Sequence, residues 1–190
     1  MTEIDMNKLD RFVIINDKFF TKKFCKTLIN LFINNKDKHQ RFDQGGKPNY
    51  TQLLLDSTDD NGALFKELSQ KHLINAVKSY LHFVPECTFW KPGFSFEQFR
   101  IIEYCNNGTD QFVDHVDAYS KESSMRFLSL VWFLNDVKEG GETEFLNLQT
   151  KIEPITGKLV MFPSTWNFPI KDHVPVSNNK YILTSYLHYG

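Results

Sequence analysis

Arg126-Phe127-Leu128-Ser129-Leu130-Val131-Trp132-Phe133-Leu134-Asn135 is a ten-residue run in which only Ser129 and the two ends are polar. It is rich in aromatic and branched side chains, which suit a pleated, packed surface, and it reads as a strand. Four further runs share its texture, at residues 94–104, 142–145, 158–162 and 180–189. Turn-forming stretches separate them: Asn106-Asn107-Gly108, Lys138-Glu139-Gly140-Gly141, Ile155-Thr156-Gly157 and Ser177-Asn178-Asn179. Upstream of residues 85–93 the period changes. Phe24, Leu28, Leu31 and Phe32 recur at helical spacing behind Thr21, a suitable N-cap, and Leu64, Leu68, Leu73, Val77 and Leu81 mark a second helix. Phe12-Val13-Ile14-Ile15 reads as an opening strand, and Gln44-Gly45-Gly46-Lys47-Pro48 as a flexible connector. Helices followed by many short strands predict a mainly β fold, a jelly roll with N-terminal helices packed on one sheet.

The chain has 190 residues, enough for one full core, so a single domain over 1–190 is expected, with 1–93 supporting a β core at 94–190. Apolar residues at 41% and charged residues at 24% fit a folded globule. A formal net charge of -1 argues against a nucleic-acid binder held by general phosphate attraction. Cys25, Cys87 and Cys105 are odd in number and match no metal-binding spacing, so free thiols in a reducing compartment are expected. Residues 1–19 lack the apolar core of a signal peptide, and no window is apolar enough to span a membrane. A cytoplasmic location is the expectation.

The first chemistry-bearing signal is His115-Val116-Asp117. Strand residues two apart face one way, so an imidazole and a carboxylate would point into one space. Such a pair suits a borderline cation, Fe(II) among them. Taken alone, the tripeptide reads equally well as a surface pair or a structural hydrogen bond. By the same measure Lys180 is a solvated strand residue, and Thr184 and Tyr104 are sheet packing. His39, His72 and His82 fall in the helical half, at surface or boundary positions, and Trp132 and Trp166 read as core.

Context changes the reading. Residues 104–117, Tyr-Cys-Asn-Asn-Gly-Thr-Asp-Gln-Phe-Val-Asp-His-Val-Asp, precede the 126–135 run. Gly140-Gly141-Glu142-Thr143-Glu144-Phe145 follows, then Gly157-Lys158-Leu159-Val160-Met161-Phe162-Pro163, and finally Lys180-Tyr181-Ile182-Leu183-Thr184-Ser185-Tyr186-Leu187. In order and spacing these blocks resemble the prolyl-4-hydroxylase family of 2-oxoglutarate oxygenases, densely over residues 94–190 and more loosely over 12–31. The resemblance implies a double-stranded β-helix, Fe(II), 2-oxoglutarate and O2, with ascorbate as an optional accessory. It implies His115 and Asp117 as iron ligands, Lys180 as partner of the distal carboxylate of 2-oxoglutarate, Thr184 as a further donor to that carboxylate, and Tyr104 as a wall of the same pocket. No catalytic side chain beyond the metal centre is implied. Residues 44–48 with Tyr50 would suit a lid.

At the third iron ligand the resemblance breaks. The family places a histidine ten residues before the basic residue and eight after the Phe of Phe-Pro. Counting back from Lys180 and forward from Phe162 both lead to Ile170. The nearest imidazole, His173, stands seven before Lys180, an odd spacing that puts it on the opposite strand face unless a bulge intervenes. Ile170 is expected at the ligand position, with His173 the only histidine near enough to serve.

The expected function is a 2-oxoglutarate- and Fe(II)-dependent hydroxylase of prolyl residues in a peptide or protein. A free amino acid or other small molecule is an open alternative, since fold does not determine substrate. So are a degenerate homologue that binds 2-oxoglutarate or a partner without turnover, and a non-enzymatic jelly-roll module that binds, for example, sugar. Neither nucleic acid nor a membrane is an expected partner.

Overall fold

The computed structural model describes residues 9–45, 47–55, 62–90 and 93–190. Strand β1 (Ile14–Asn16) leads into helix α1 (Lys22–Asn34), whose first turn is capped by the Thr21 hydroxyl accepting from the Phe24 N–H at 3.2 Å. A hairpin follows, β2 (Gln40–Asp43) and β3 (Asn49–Leu54). Helix α2 (Gly62–Glu67) passes through a π-wound stretch, Leu68–Leu73, into α3 (Ile74–Phe83). The rest is strand: β4 (Phe94–Phe96), β5 (Arg100–Tyr104), β6 (Phe112–His115), β7 (Arg126–Phe133), β8 (Thr143–Phe145), β9 (Thr150–Ile152), β10 (Leu159–Pro163), β11 (Ile170–Asp172) and β12 (Lys180–Tyr189).

The strands form two antiparallel sheets. The larger runs β1-β10-β7-β12-β5-β3-β2, with β4 on the far end of β12, and the smaller runs β6-β11-β8-β9. This is the double-stranded β-helix. The run at 94–104, expected as one strand, is two: β5 pairs with the start of β12 and β4 with its end. The expected connector at residues 44–48 lies between two strands, β2 and β3, that join the larger sheet. Their cohesion is partly polar, with Gln52 donating to the Gln40 side chain at 2.8 Å and Arg41 clamping the buried Asp110 at 2.7 and 2.8 Å. Gly46, within the proposed lid, and residues 1–8 of the expected leaderless N-terminus lie outside the described residues.

The central strand β7 explains why the larger sheet is covered on both faces. Leu128, Leu130 and Trp132 point outward and pack with Leu28 and Phe32 of α1 and Ala76 and Tyr80 of α3. Val131 and Phe133 point inward and pack with Phe145, Phe162 and Ile170 between the sheets. Alternation along β7 thus builds two cores, and each such buried side chain is worth roughly 1.5–3 kcal/mol. Strand β12 alternates likewise, with Leu183 and Leu187 outward and Ile182 inward. Trp132 is fully buried as expected, but Trp166, expected in the core, stands 82% exposed. The three cysteines are free. Among the described residues no helix is long and apolar enough to cross a membrane.

Candidate active site

Between the sheets lies a cavity of about 40 Å³, lined by His115, Asp117, Ile170, Asp172 and Thr184. Outside it opens a mouth of about 310 Å³ that shares His115, Asp117, Tyr50 and Tyr186 and reaches Gln44 and Pro48 beside the β2–β3 hairpin. Tyr50 and the turn of the expected lid therefore border the entrance.

His115 closes β6. Its Nδ1 lies 2.8 Å from the Val113 carbonyl, which can only accept, so Nδ1 carries a proton and the neutral form of the ring presents its lone pair at Nε2. The ring stacks on Phe112 at 3.5 Å between centroids. Between residues 112 and 115 strand β6 slips register against β11, so the irregularity sits beside the site, on β6. Asp117 is buried, with Oδ1 3.9 Å from His115 Nε2. Ser129 donates to its Oδ2 at 2.5 Å and Tyr186 to its Oδ1 at 3.3 Å. Burial, and then the Asp117 charge, push the Tyr186 phenol well above its ordinary pKa, so it stays a donor. Arg126 donates to the Asp117 carbonyl at 2.9 Å, sits over the Tyr186 ring, and is held in turn by Glu97.

Ile170 is the register partner of His115 and is buried, facing the cavity. His173 goes elsewhere. It lies three residues on, beyond the end of β11, and its Nε2 contacts Glu144 Oε2 at 2.6 Å. Glu144 is the β8 residue between the inward-facing Thr143 and Phe145, so it points outward. The odd spacing has its ordinary strand consequence: the structure turns His173 to Glu144 and does not bring it to His115 and Asp117.

Lys180, Thr184 and Tyr104 all face the interior, as expected. Lys180 is fully buried. Its ammonium donates to Asp172 Oδ1 at 2.7 Å and contacts Thr143 Oγ1 at 3.3 Å. Thr143 donates to the same Asp172 oxygen at 2.6 Å, and the Tyr104 hydroxyl lies 3.3 Å from the other. Burial raises the Asp172 pKa, but the Lys180 charge, then that of His115, and hydrogen bonds from Lys180 and Thr143 outweigh it, and the carboxyl titrates below its usual range. Tyr104 is pushed far up by burial and then by the Asp172 charge. Thr184 Oγ1 is buried without a hydrogen-bond partner among the described residues. Sequence reasoning missed Asp172 and Thr143. For Asp172 a signal existed, because it stands eight residues before Lys180, an even spacing like that of Ile170.

Residues 99–188 match the model of the 2OG-Fe(II) oxygenase superfamily. Over 94% or more of its length the chain shares its fold with solved prolyl hydroxylases. It superposes with a TM-score of 0.71 on the viral collagen prolyl hydroxylase of Paramecium Bursaria Chlorella virus-1 in its 2OG complex, at 19% identity over 94% of this chain and 97% of the other. A Pseudomonas putida prolyl-4-hydroxylase gives 0.71 at 14% identity, covering 97% and 99%. A Trichoplax adhaerens prolyl hydroxylase, in complex with a hypoxia inducible factor oxygen degradation domain peptide fragment, gives 0.71 at 15%, covering 96% and 86%. No curated protein matches the sequence. The family match covers the β core, and the solved structures share its fold.

The family implies Fe(II) and 2-oxoglutarate, and the residues meet those groups only in part. His115 and Asp117 are presented as ligands should be, but the third position offers the alkyl chain of Ile170, which has no lone pair. Among the described residues no three His, Cys, Asp or Glu side chains gather as a metal site requires. For the co-substrate, Lys180 is already paired, and about 40 Å³ is far below the roughly 300 Å³ at which small-molecule pockets begin.

Proposed function

We propose that the chain serves as a 2-oxoglutarate- and Fe(II)-dependent hydroxylase of prolyl type, receiving a peptide or protein segment at the mouth. One observation carries the reading: within this fold, His115 Nε2 and the Asp117 carboxylate converge where the open mouth of about 310 Å³ meets the inner cavity. The oriented tautomer of His115 and the donors on Asp117 from Ser129 and Tyr186 are what a ligand pair needs from its surroundings. Aromatic groups at the mouth, Phe42, Tyr50 and Tyr119, suit an extended apolar segment such as a prolyl peptide. The peptide held by the Trichoplax adhaerens enzyme supports the substrate class. O2 belongs to the same reading, and ascorbate to its accessory chemistry. Free thiols and the lack of a membrane-crossing helix among the described residues fit work in the cytoplasm.

Ile170 and the Asp172–Lys180 pair favour a second reading, a homologue that holds a peptide at the mouth without turnover. Anaerobic titration of Fe(II) with 2-oxoglutarate separates the two. The hydroxylase reading expects the metal-to-ligand charge-transfer band and hydroxylation of a proline-rich peptide. Peptide binding with neither band nor succinate would leave the second reading standing.

A further inference from the structure

Asp172 sits among donors that together make a complete carboxylate site: the Lys180 ammonium at 2.7 Å, the Thr143 hydroxyl at 2.6 Å and the Tyr104 hydroxyl at 3.3 Å. Each Asp172 oxygen has at least one donor, and the site is shut off from solvent, Lys180 and Asp172 being 0% and 6% exposed. Buried in this way, a lysine needs a carboxylate partner. In this chain the partner is covalently part of β11, and its side chain enters the inner cavity from the same strand face as Ile170. A free dicarboxylate reaching for Lys180 would meet the same three donors and find them taken. The nearby Thr184 hydroxyl, buried and without a partner among the described residues, is the donor Asp172 does not use.

We infer that Asp172 is a built-in occupant of the carboxylate site into which the distal carboxylate of 2-oxoglutarate would otherwise fit, so that the co-substrate competes with the protein's own side chain for Lys180. The inference rests on the reading of Lys180 as co-substrate partner; it does not depend on turnover. A merely structural Asp172, present only to neutralise a buried lysine, would give a different result when removed.

The test is 2-oxoglutarate binding by calorimetry on the full chain, without iron, compared with glutarate, which carries both carboxylates but no keto group. Asp172→Ala should bind both at least tenfold more tightly than the unmodified chain. The double variant Asp172→Ala/Lys180→Met should lose that gain. Asp172→Ala leaves Lys180 unpaired and is expected to be fragile, so its melting is also followed in formate and in chloride. Formate should restore stability in a concentration-dependent way, and chloride at equal ionic strength should not. A folded Asp172→Ala chain that binds 2-oxoglutarate no better than the unmodified chain overturns the inference, as does a fragile one that formate fails to rescue. Tight 2-oxoglutarate binding by Asp172→Ala, with neither this variant nor the unmodified chain hydroxylating a proline-rich peptide when Fe(II) is supplied, would sink the hydroxylase reading and leave this inference intact.

Discussion

The two ends of the inner cavity depart from the family pattern in opposite directions. At the mouth end, a position that should carry a polar ligand carries Ile170, and His115 and Asp117 are left as a pair. At the closed end, where a cation should wait for a ligand, Lys180 has one already in Asp172. Both departures lie on one face of the three-residue strand β11, two positions apart. One end is short of a donor group and the other is self-satisfied, so the first should respond to an added ligand and the second to removal of one. The lesson is that one short strand, read residue by residue, carries both departures.

The closed end should show the largest effect. Lys180→Met leaves the Asp172 carboxylate buried without its cation, and breaking such a pair costs about 3–5 kcal/mol. For a chain of this size that is a fall in Tm on the order of 10 °C. The double variant Asp172→Leu/Lys180→Met removes both charges together and should recover most of the loss, since an apolar replacement of a buried pair is often neutral. Equal Tm values for Lys180→Met and the unmodified chain would show that the pair is not dry, and the contrast between the two ends would weaken.

At the mouth end, Ile170→His places an imidazole opposite His115 and beside Asp117. Fe(II) affinity should rise at least tenfold, about 1.4 kcal/mol, read by competition with a colorimetric chelator. Without metal the new ring is a buried polar group and should lower Tm, and Fe(II) should restore it. No gain in affinity would mean that Ile170, despite its register with His115, does not stand where a ligand must.

Strong acid should reach the closed end through Asp172. Asp172 titrates below its ordinary range because Lys180 outweighs the effect of burial, and Asp110 and Glu97 are depressed for the same kind of reason by Arg41 and by Arg126 with Arg100. Groups with folded pKa values below the unfolded ones contribute stability that is fully present above the unfolded value, near 3.9 for Asp, and lost as pH falls through the folded value. Stability should therefore decline below about pH 4, and the decline should be shallower in Asp172→Leu/Lys180→Met. Parallel acid-denaturation curves for the two proteins would remove Asp172 from the account.

Much of this was legible in the residues. The alternation of β7 follows from a two-residue period, while the convergence of His115 and Asp117 with the inward-facing Lys180 and Thr184 was what the resemblance implied. Ile170 was found by counting. The same parity, applied once more, would have flagged Asp172, but an aspartate in Ile170-Lys171-Asp172 reads as a turn residue until Lys180 is seen beside it. Thr143 carries no such signal, because it reaches Asp172 from another strand. The β2–β3 hairpin was missed because its strands mix polar pairs, Gln40 with Gln52, with a ring pair, Phe42 with Tyr50, and β2 has no hydrophobic period to read.

The smallest effect expected is at His173, and it tests the comparison from outside the cavity. Its ring contacts Glu144 on the outer side of the smaller sheet, and that contact is the main reason the Glu144 carboxyl titrates below its usual range. Glu144 is within reach of solvent and also lies 3.9 Å from Lys151, so the pair is partly screened and partly replaceable. His173→Ala should therefore leave Fe(II) affinity unchanged and Tm nearly so. The Glu144 titration, followed by carboxyl NMR, should move up toward an ordinary glutamate, because its leading partner is gone. If His173→Ala instead abolished iron binding, the end of β11 would have to turn over to bring the ring inside, carrying Asp172 with it. Lys180 would then be released, and the under-furnished and self-satisfied ends would be two states of one strand rather than two fixed departures.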